Sequence, residues 1–197
     1  MQKLLNIIPV LILLSSTVSA QSRVGIKAGI SHANVYANND PTKNFLRART
    51  SAMAGVSVEL FATSRFSVQP ELNYSYQVAS ETFNYSLLTW SYVQIPILAK
   101  FYLPDNSFNL YVGPQLGFLS KANQKLHGVK TNLKNQLQQT DFGGVAGVGY
   151  AFKRGLTLDV RGYHGAVNVF KSEFDQGVRT RNVLFTLALG YVFGAKK

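Results

Sequence analysis

Between Phe66 and Val78 the chain alternates with a period of two. Phe66, Val68, Pro70, Leu72, Tyr74, Tyr76 and Val78 share one face, and Ser67, Gln69, Glu71, Asn73, Ser75 and Gln77 share the other. Successive side chains of a β-strand point to opposite faces, so this pattern predicts a strand that is apolar on one side and polar on the other. The stretch from Tyr92 to Leu119 repeats it twice around a "PDNS" turn. Val93, Ile95, Ile97, Ala99, Phe101 and Leu103 oppose Tyr92, Gln94, Pro96, Leu98, Lys100 and Tyr102; then Leu110, Val112, Pro114, Leu116 and Phe118 oppose Tyr111, Gly113, Gln115 and Gly117. Pro96 and Pro114 lack the N–H that a ladder needs, which predicts local bulges or missing ladder bonds at both.

Eight such segments follow one another, at roughly 23 to 34, 50 to 62, 65 to 79, 90 to 103, 108 to 120, 141 to 152, 155 to 169 and 180 to 193. Their connections alternate between long (35 to 49, 80 to 89, 121 to 140, 170 to 179) and short ("TS", "PDNS", "KR"). Strands of about 9 to 11 residues cross a bilayer when tilted, whereas strands of soluble proteins average about 5 to 6. An even strand number, long strands and alternating loop lengths are the pattern of an all-β, eight-stranded antiparallel up-and-down transmembrane β-barrel, with short turns in the periplasm and long loops outside.

A soluble barrel would also alternate, but its bulky apolar face would point inward. Here the second face is small and glycine-rich, as in "DFGGVAGVGYAF", which suits the crowded interior of an eight-stranded barrel. The aromatic residues form two groups along the strands. Phe66, Phe101, Phe108, Tyr150, Phe152, Tyr191 and Phe193 fall at the short-turn end, and Tyr74, Tyr76, Trp90, Phe118, Phe142 and Phe185 at the long-loop end. Two aromatic girdles at headgroup depth are expected of a membrane barrel.

Composition adds localisation. The first twenty residues, "MQKLLNIIPVLILLSSTVSA", carry Lys3, an apolar run from Leu4 to Leu14, and small residues at Val18 and Ala20. This is signal-peptide grammar, dividing the chain into a leader (1–20) and a barrel (21–197) exported to the bacterial outer membrane. Pro9 and the short apolar run argue against a membrane-spanning helix. The absence of cysteine excludes disulfides, thiolate metal sites and a cysteine nucleophile.

"YVQIPILAKFYL" resembles the signature of the PorT-type outer-membrane β-barrel family, and "LYVGPQLGFLS" resembles its next strand. "GVSVELF", "VQPELNYSYQ", "TDFGGVAGVGY" and "LTLDVRGYHGAVNV" resemble its other strands in the same order, so the likeness covers essentially the whole chain after the leader. Gln94 stands where the family usually has an acid, and "GAKK" follows Phe193, where many barrels end on the aromatic. The resemblance implies fold and location. Its eponymous member is tied to protein secretion, a role that fold alone does not transfer.

Candidate chemistry concentrates on the inner face. Lys27, Glu59, Glu71, Lys100, Asp159 and Arg161 share the lumenal parity in the periplasmic half or middle of their strands. Three are cationic and three anionic. An eight-stranded barrel has just enough interior for side chains, so this balanced set is expected to form a buried ion-pair plug rather than line a channel. The alternative is a narrow pore or transporter that uses these charges as an ion path.

The net charge is +11, and the long connections carry much of it: Lys43, Arg47 and Arg49 in the first, Lys121, Lys125, Lys130 and Lys134 in the third, and Lys171, Arg179 and Arg181 around the fourth, where Glu173 and Asp175 oppose them. Contact with lipopolysaccharide phosphates is the physically motivated use of such loops; an ordinary solvated surface is the alternative. No nucleic-acid recognition motif accompanies the charge. Residues 121 to 140 are expected to form either a short helical lip with Leu126, Leu133 and Leu137 as its apolar residues or, because Gly128 interrupts the run, a mobile loop.

Of the three histidines, His32 and His164 fall on the lipid face near the extracellular rim and His127 in the third loop. No serine and carboxylate accompany them at a useful spacing. No catalytic residue, cofactor site or metal site is therefore assigned. The expected role is that of a monomeric barrel with a structural or interaction function, touching lipopolysaccharide or an envelope or secretion-machinery partner, with a lipid-modifying enzyme the less favoured reading.

Overall fold

The computed structural model describes residues 22–37, 46–48, 50–81, 87–105, 107–126, 129–169 and 180–193. Eight long strands make the barrel: β1 (Ser22–Ala37), β2 (Thr50–Phe61), β3 (Phe66–Glu81), β4 (Leu87–Tyr102), β5 (Phe108–Leu126), β6 (Thr140–Ala151), β7 (Leu156–Asn168) and β8 (Thr180–Val192). Each pairs antiparallel with its neighbours in the chain, and β1 pairs with β8 to close the ring. Two short strands, Leu46–Ala48 and Val129–Asn132, add to the edges of β3 and β5 at the long-loop end. Among the described residues no helix is long and apolar enough to cross a membrane; strands do the crossing. Closure leaves no open edge, so every backbone polar group within the apolar layer can find a partner.

The two faces are inverted relative to a soluble barrel. Many outward-facing positions are large, apolar and exposed, with Val112 at 61% and Phe185 at 65%, while buried positions include Glu59, Glu71, Asn73, Gln77, Lys100 and Arg161. Such an outside is stable only where the solvent is hydrocarbon. Exposed Phe66, Phe101, Phe108, Phe152, Tyr191 and Phe193 ring the short-turn end; exposed Tyr74, Tyr76, Phe118, Phe142 and Phe185 ring the other. Trp90 is a correction. It is 6% exposed and inside the barrel, because it shares parity with Tyr92 and Gln94, and its indole donates to Gln77 rather than to a headgroup.

The short turns are tight. Ala62 and Thr63 both donate to Phe66 O, Leu103 to Phe108 O, and Phe152 to Leu156 O. In the last of these Arg154 and Gly155 have φ of 68° and 87°. Glycine suits its position doubly, since a Cβ there would also lie 2.4 Å from Val192 O.

The prolines interrupt ladders without bulging them. Pro70 pairs with Ile97 on β4 but has no partner on β2; Pro96 pairs with Gln115 on β5 but has none on β3; Pro114 pairs with Gly144 on β6 but has none on β4. Register is unchanged across each gap. In an antiparallel ladder a residue's N–H points to one neighbour only, so a proline costs bonding on that side alone. Among the described residues, register shifts fall elsewhere, at Ser91/Tyr92 and at Arg181/Val183, both toward the long-loop end.

At that end β5 runs well past the expected 120. Its extension folds back as a hairpin, Asn123–Leu126 pairing with Val129–Asn132. Residues 129–140 then return to the barrel without a helix: Lys134 N bonds Asn132 Oδ1 at 2.8 Å, Gln136 N bonds Leu133 O, and Gln138 N bonds Val169 O. The helical lip is thus replaced by a hairpin and turn. Leu137 is buried with Leu88, Trp90, Tyr92, Leu119, Ala122 and Val169, and Leu133 packs against them, forming an apolar cap inside the long-loop mouth. Leu126 stays exposed.

Candidate functional site

The polar face of β3 supplies four successive inward residues, Ser67, Gln69, Glu71 and Asn73, and the other strands close around them. Glu71 is the hub. It accepts from Lys27 Nζ on β1, from Gln69 Nε2 at 2.6 Å, from Asn73 Nδ2 at 2.9 Å, and from both terminal nitrogens of Arg161 at 2.9 and 3.3 Å. Strands β3 and β7 stand opposite one another in the ring of eight, so the Glu71–Arg161 fork crosses the lumen. Arg161 Nε also donates to Asp159 at 2.7 Å, and Asp159 accepts from Tyr111 OH on β5.

A second group joins the first through Gln69. Lys100 on β4 donates to Gln69 Oε1 at 2.9 Å and lies 3.1 Å from Glu59 on β2; Glu59 also accepts from Ser67 Oγ at 2.7 Å and Tyr102 OH at 2.6 Å. The structure thus brings Lys27, Glu59, Glu71, Lys100, Asp159 and Arg161 into one lumenal network. Its charges sum to zero, and every carboxylate has several donors. Taking a charge out of water is tolerable only under these conditions, with counter-ion and hydrogen bonds both supplied.

Gly147 on β6 makes room for part of it. A Cβ there would lie 2.3 Å from Tyr111 OH and 2.6 Å from Val160 O, so only glycine lets the Tyr111 ring pass over β6 to Asp159. The Arg161 guanidinium sits 5.4 Å from the centroid of the same ring.

Below this layer, at the short-turn end, lies a cavity of about 280 Å³ whose lining includes Arg23, Lys27, Glu59, Lys100, Asn109 and Asp159. Above it a space of about 20 Å³ touches Asn73, Gln94, Gln115, Arg161 and Tyr163, room for about one water. Glu71 and Arg161 separate the two. Beside them, Leu98, Tyr111, Val145, Tyr163 and Leu184 form an apolar cluster, Tyr163 and Leu184 also lining the smaller space, and the loop-end cap lies toward the mouth.

Several contributors are absent from the sequence assignment of the site. Ser67, Gln69 and Asn73 share the parity of Glu71, and Tyr102 and Tyr111 that of the lumenal face, so periodicity locates them; their bonds across the ring need the registers of distant strands. Asp141, at the start of β6, is buried and accepts from Asn182 Nδ2 at 3.0 Å, with no ion pair among the described residues. Its parity with Gly143 and Gly147 was the available signal.

The basic loops divide. Lys121, Lys125 and Lys130 are exposed, and Lys134 is half-buried in the turn. Lys125 sits directly opposite Lys130 across the hairpin, with Lys121 four residues down the same strand, on the face that alternates with buried Ala122. Like charges in direct register repel, and no acid stands in either strand of this hairpin to offset them. Lys43, Arg49, Lys171, Glu173, Asp175 and Arg179 lie outside the described residues, and Arg47 is placed by its backbone alone, opposite Ser80. His32 and His164 are exposed on the outer face, and His127 lies outside the described residues. Among the described residues no three His, Asp or Glu side chains converge as metal ligands.

The family model described as "Outer membrane protein beta-barrel domain" matches residues 17–171. Among solved structures the fold is similar to Neisserial surface protein A, with a TM-score of 0.59 and 13% identity over 85% of this chain and 96% of that one. It is also similar to Ail, the attachment invasion locus protein of Yersinia pestis, with a TM-score of 0.56 and 12% identity over 87% of this chain and 99% of that one. At such identities the likeness is one of fold. No curated protein sequence matches the chain.

Proposed function

Because this chain belongs to the outer membrane protein beta-barrel domain family and so resides in the bacterial outer membrane, we propose that it acts there as an interaction barrel rather than a conduit. The lumen is closed by the charge network and the work is done at the ends. The carrying observation is the Glu71–Arg161 fork, which bridges opposite strands and is anchored by four further donors and acceptors. A leader cleaved near residue 20, a monomeric barrel and a periplasmic position for the short turns complete the reading, the last on the general asymmetry of loop lengths. The PorT-type likeness of Tyr92–Leu103 motivates an envelope or secretion-machinery protein as partner.

At the long-loop end, the lysine hairpin is suited to lipopolysaccharide phosphates. Lys121 follows Phe118 of the aromatic girdle by three residues, about 10 Å along a strand, which puts Lys121 just beyond headgroup depth, with Lys125 and Lys130 four residues farther out. An external polyanion there would relieve the Lys125–Lys130 repulsion. Each lysine near an anionic surface contributes about 1 kcal/mol, so Lys125→Gln with Lys130→Gln is expected to weaken lipopolysaccharide binding by the refolded protein about 30-fold at low salt. The difference should shrink as salt rises. Binding that ignores both salt and the substitutions contradicts the lipid contact.

The narrow-pore reading draws on the 280 Å³ cavity, which opens toward the short-turn end and reaches Lys27, Lys100 and Asp159. An enzymatic reading has less support, since the exposed histidines stand on the lipid face, apart from the lumenal acids.

A further inference from the structure

The cavity at the short-turn end has features that closing the lumen does not require. Among the described residues four cationic side chains line it, Arg23, Lys27, Lys100 and Lys153, against two acids, Glu59 and Asp159. Those acids are already engaged: Glu59 by Ser67, Tyr102 and Lys100, and Asp159 by Tyr111 and Arg161. The inner network balances without Arg23 and Lys153, so their charge is a surplus at the mouth. Arg23 stacks over Phe61, 4.7 Å from the ring centroid, an arrangement that holds the guanidinium at the rim.

Asn109 adds a second, independent feature. It is 5% exposed, lines the cavity, and its Oδ1 has no hydrogen-bond partner among the described residues. Leaving a buried acceptor unsatisfied is costly, and natural structures rarely do so without a partner to come. The wall beside it is glycine: a Cβ on Gly149 would lie 2.7 Å from Asn109 Oδ1, and one on Gly190 would lie 2.6 Å from Thr157 Oγ1. These glycines make room for the Asn109 and Thr157 side chains, which both line the cavity.

We propose that this cavity binds the C-terminal residue of a peptide chain. The terminal carboxylate meets Arg23 and Lys153, and the N–H of the same residue donates to Asn109 Oδ1. A guanidinium and a carboxylate match in planar, two-bonded geometry, and the volume falls just under the usual range of small-ligand sites, enough for a chain end but not a folded surface. The site is separate from the lysine hairpin; the periplasmic position of the short turns enters only in making an envelope protein the source of the chain end.

The test is titration calorimetry of the full barrel, refolded in detergent micelles, with an N-acetylated tripeptide as free acid and as C-terminal amide. The free acid should bind and the amide bind at least tenfold more weakly. Arg23→Gln, Lys153→Gln and Asn109→Leu should each weaken the free acid severalfold, whereas Lys125→Gln should leave it unchanged. The rim changes at Arg23 and Lys153 lie outside the balanced network, and retained heat-dependent gel mobility would show that each variant is folded. Acid and amide binding alike, neither binding at millimolar concentration, or Arg23→Gln without effect would overturn the proposal. Displacement of the free acid by equimolar inorganic phosphate would also overturn it, assigning the cavity to simple anions.

Discussion

Glu71→Ala is expected to destabilise the barrel by about 3–5 kcal/mol, the cost of stripping the counter-charge from buried cations. Glu71 is 3% exposed and receives Lys27, Gln69, Asn73 and Arg161, so among the described residues its removal leaves Arg161 with Asp159 alone and Lys27 with no carboxylate at its tip. Urea unfolding of the refolded protein measures the loss. Trp90, the single tryptophan, reports it from inside the barrel. Glu71→Ala combined with Arg161→Ala should cost clearly less than the two single changes summed, because each single change orphans the other charge. A single-site cost below about 1 kcal/mol would mean that water reaches the network freely.

Val112→Arg separates a membrane barrel from a soluble one. Val112 lies between the Phe108 and Phe118 girdle positions of β5, is 61% exposed, and points away from the lumen. In water such a change would be nearly neutral, whereas at mid-bilayer an outward arginine costs about 2–4 kcal/mol. Val129→Arg is the control: Val129 is 67% exposed on the hairpin beyond the girdle, and its replacement should cost almost nothing. Unfolding from lipid vesicles compares the two, and equal effects would contradict the assigned membrane boundary.

Much of the fold was legible because a closed barrel writes its geometry into parity. Residues two apart share a face, so the run from Ser67 to Gln77 announces a polar interior before any partner strand is known, and the same rule puts Lys100, Asp159 and Arg161 inside. Trp90 obeyed that rule too, and was misassigned because an aromatic near a strand end suggests a girdle. What parity cannot supply is register. That Glu71 meets Arg161 ninety residues away, or that Tyr111 passes over Gly147, depends on how each strand is staggered against the next. The extension of β5 escaped for a different reason: Ala122 and Leu126 share their face with Ser120 and Gln124, opposite Lys121, Asn123 and Lys125, so clean hydrophobic alternation ends near the membrane while backbone pairing continues. The prolines kept their landmark value, yet the one-sidedness of antiparallel hydrogen bonding made them gaps rather than bulges.

The central claim is that charge pairing, not a channel, occupies this lumen, and single-barrel conductance in a planar bilayer tests it most directly. The refolded protein should insert without resolvable current steps at moderate voltage and salt. Reproducible open-channel steps whose size changes on Lys100→Ala would contradict the account, since they would place mobile ions among the side chains that are held to close it.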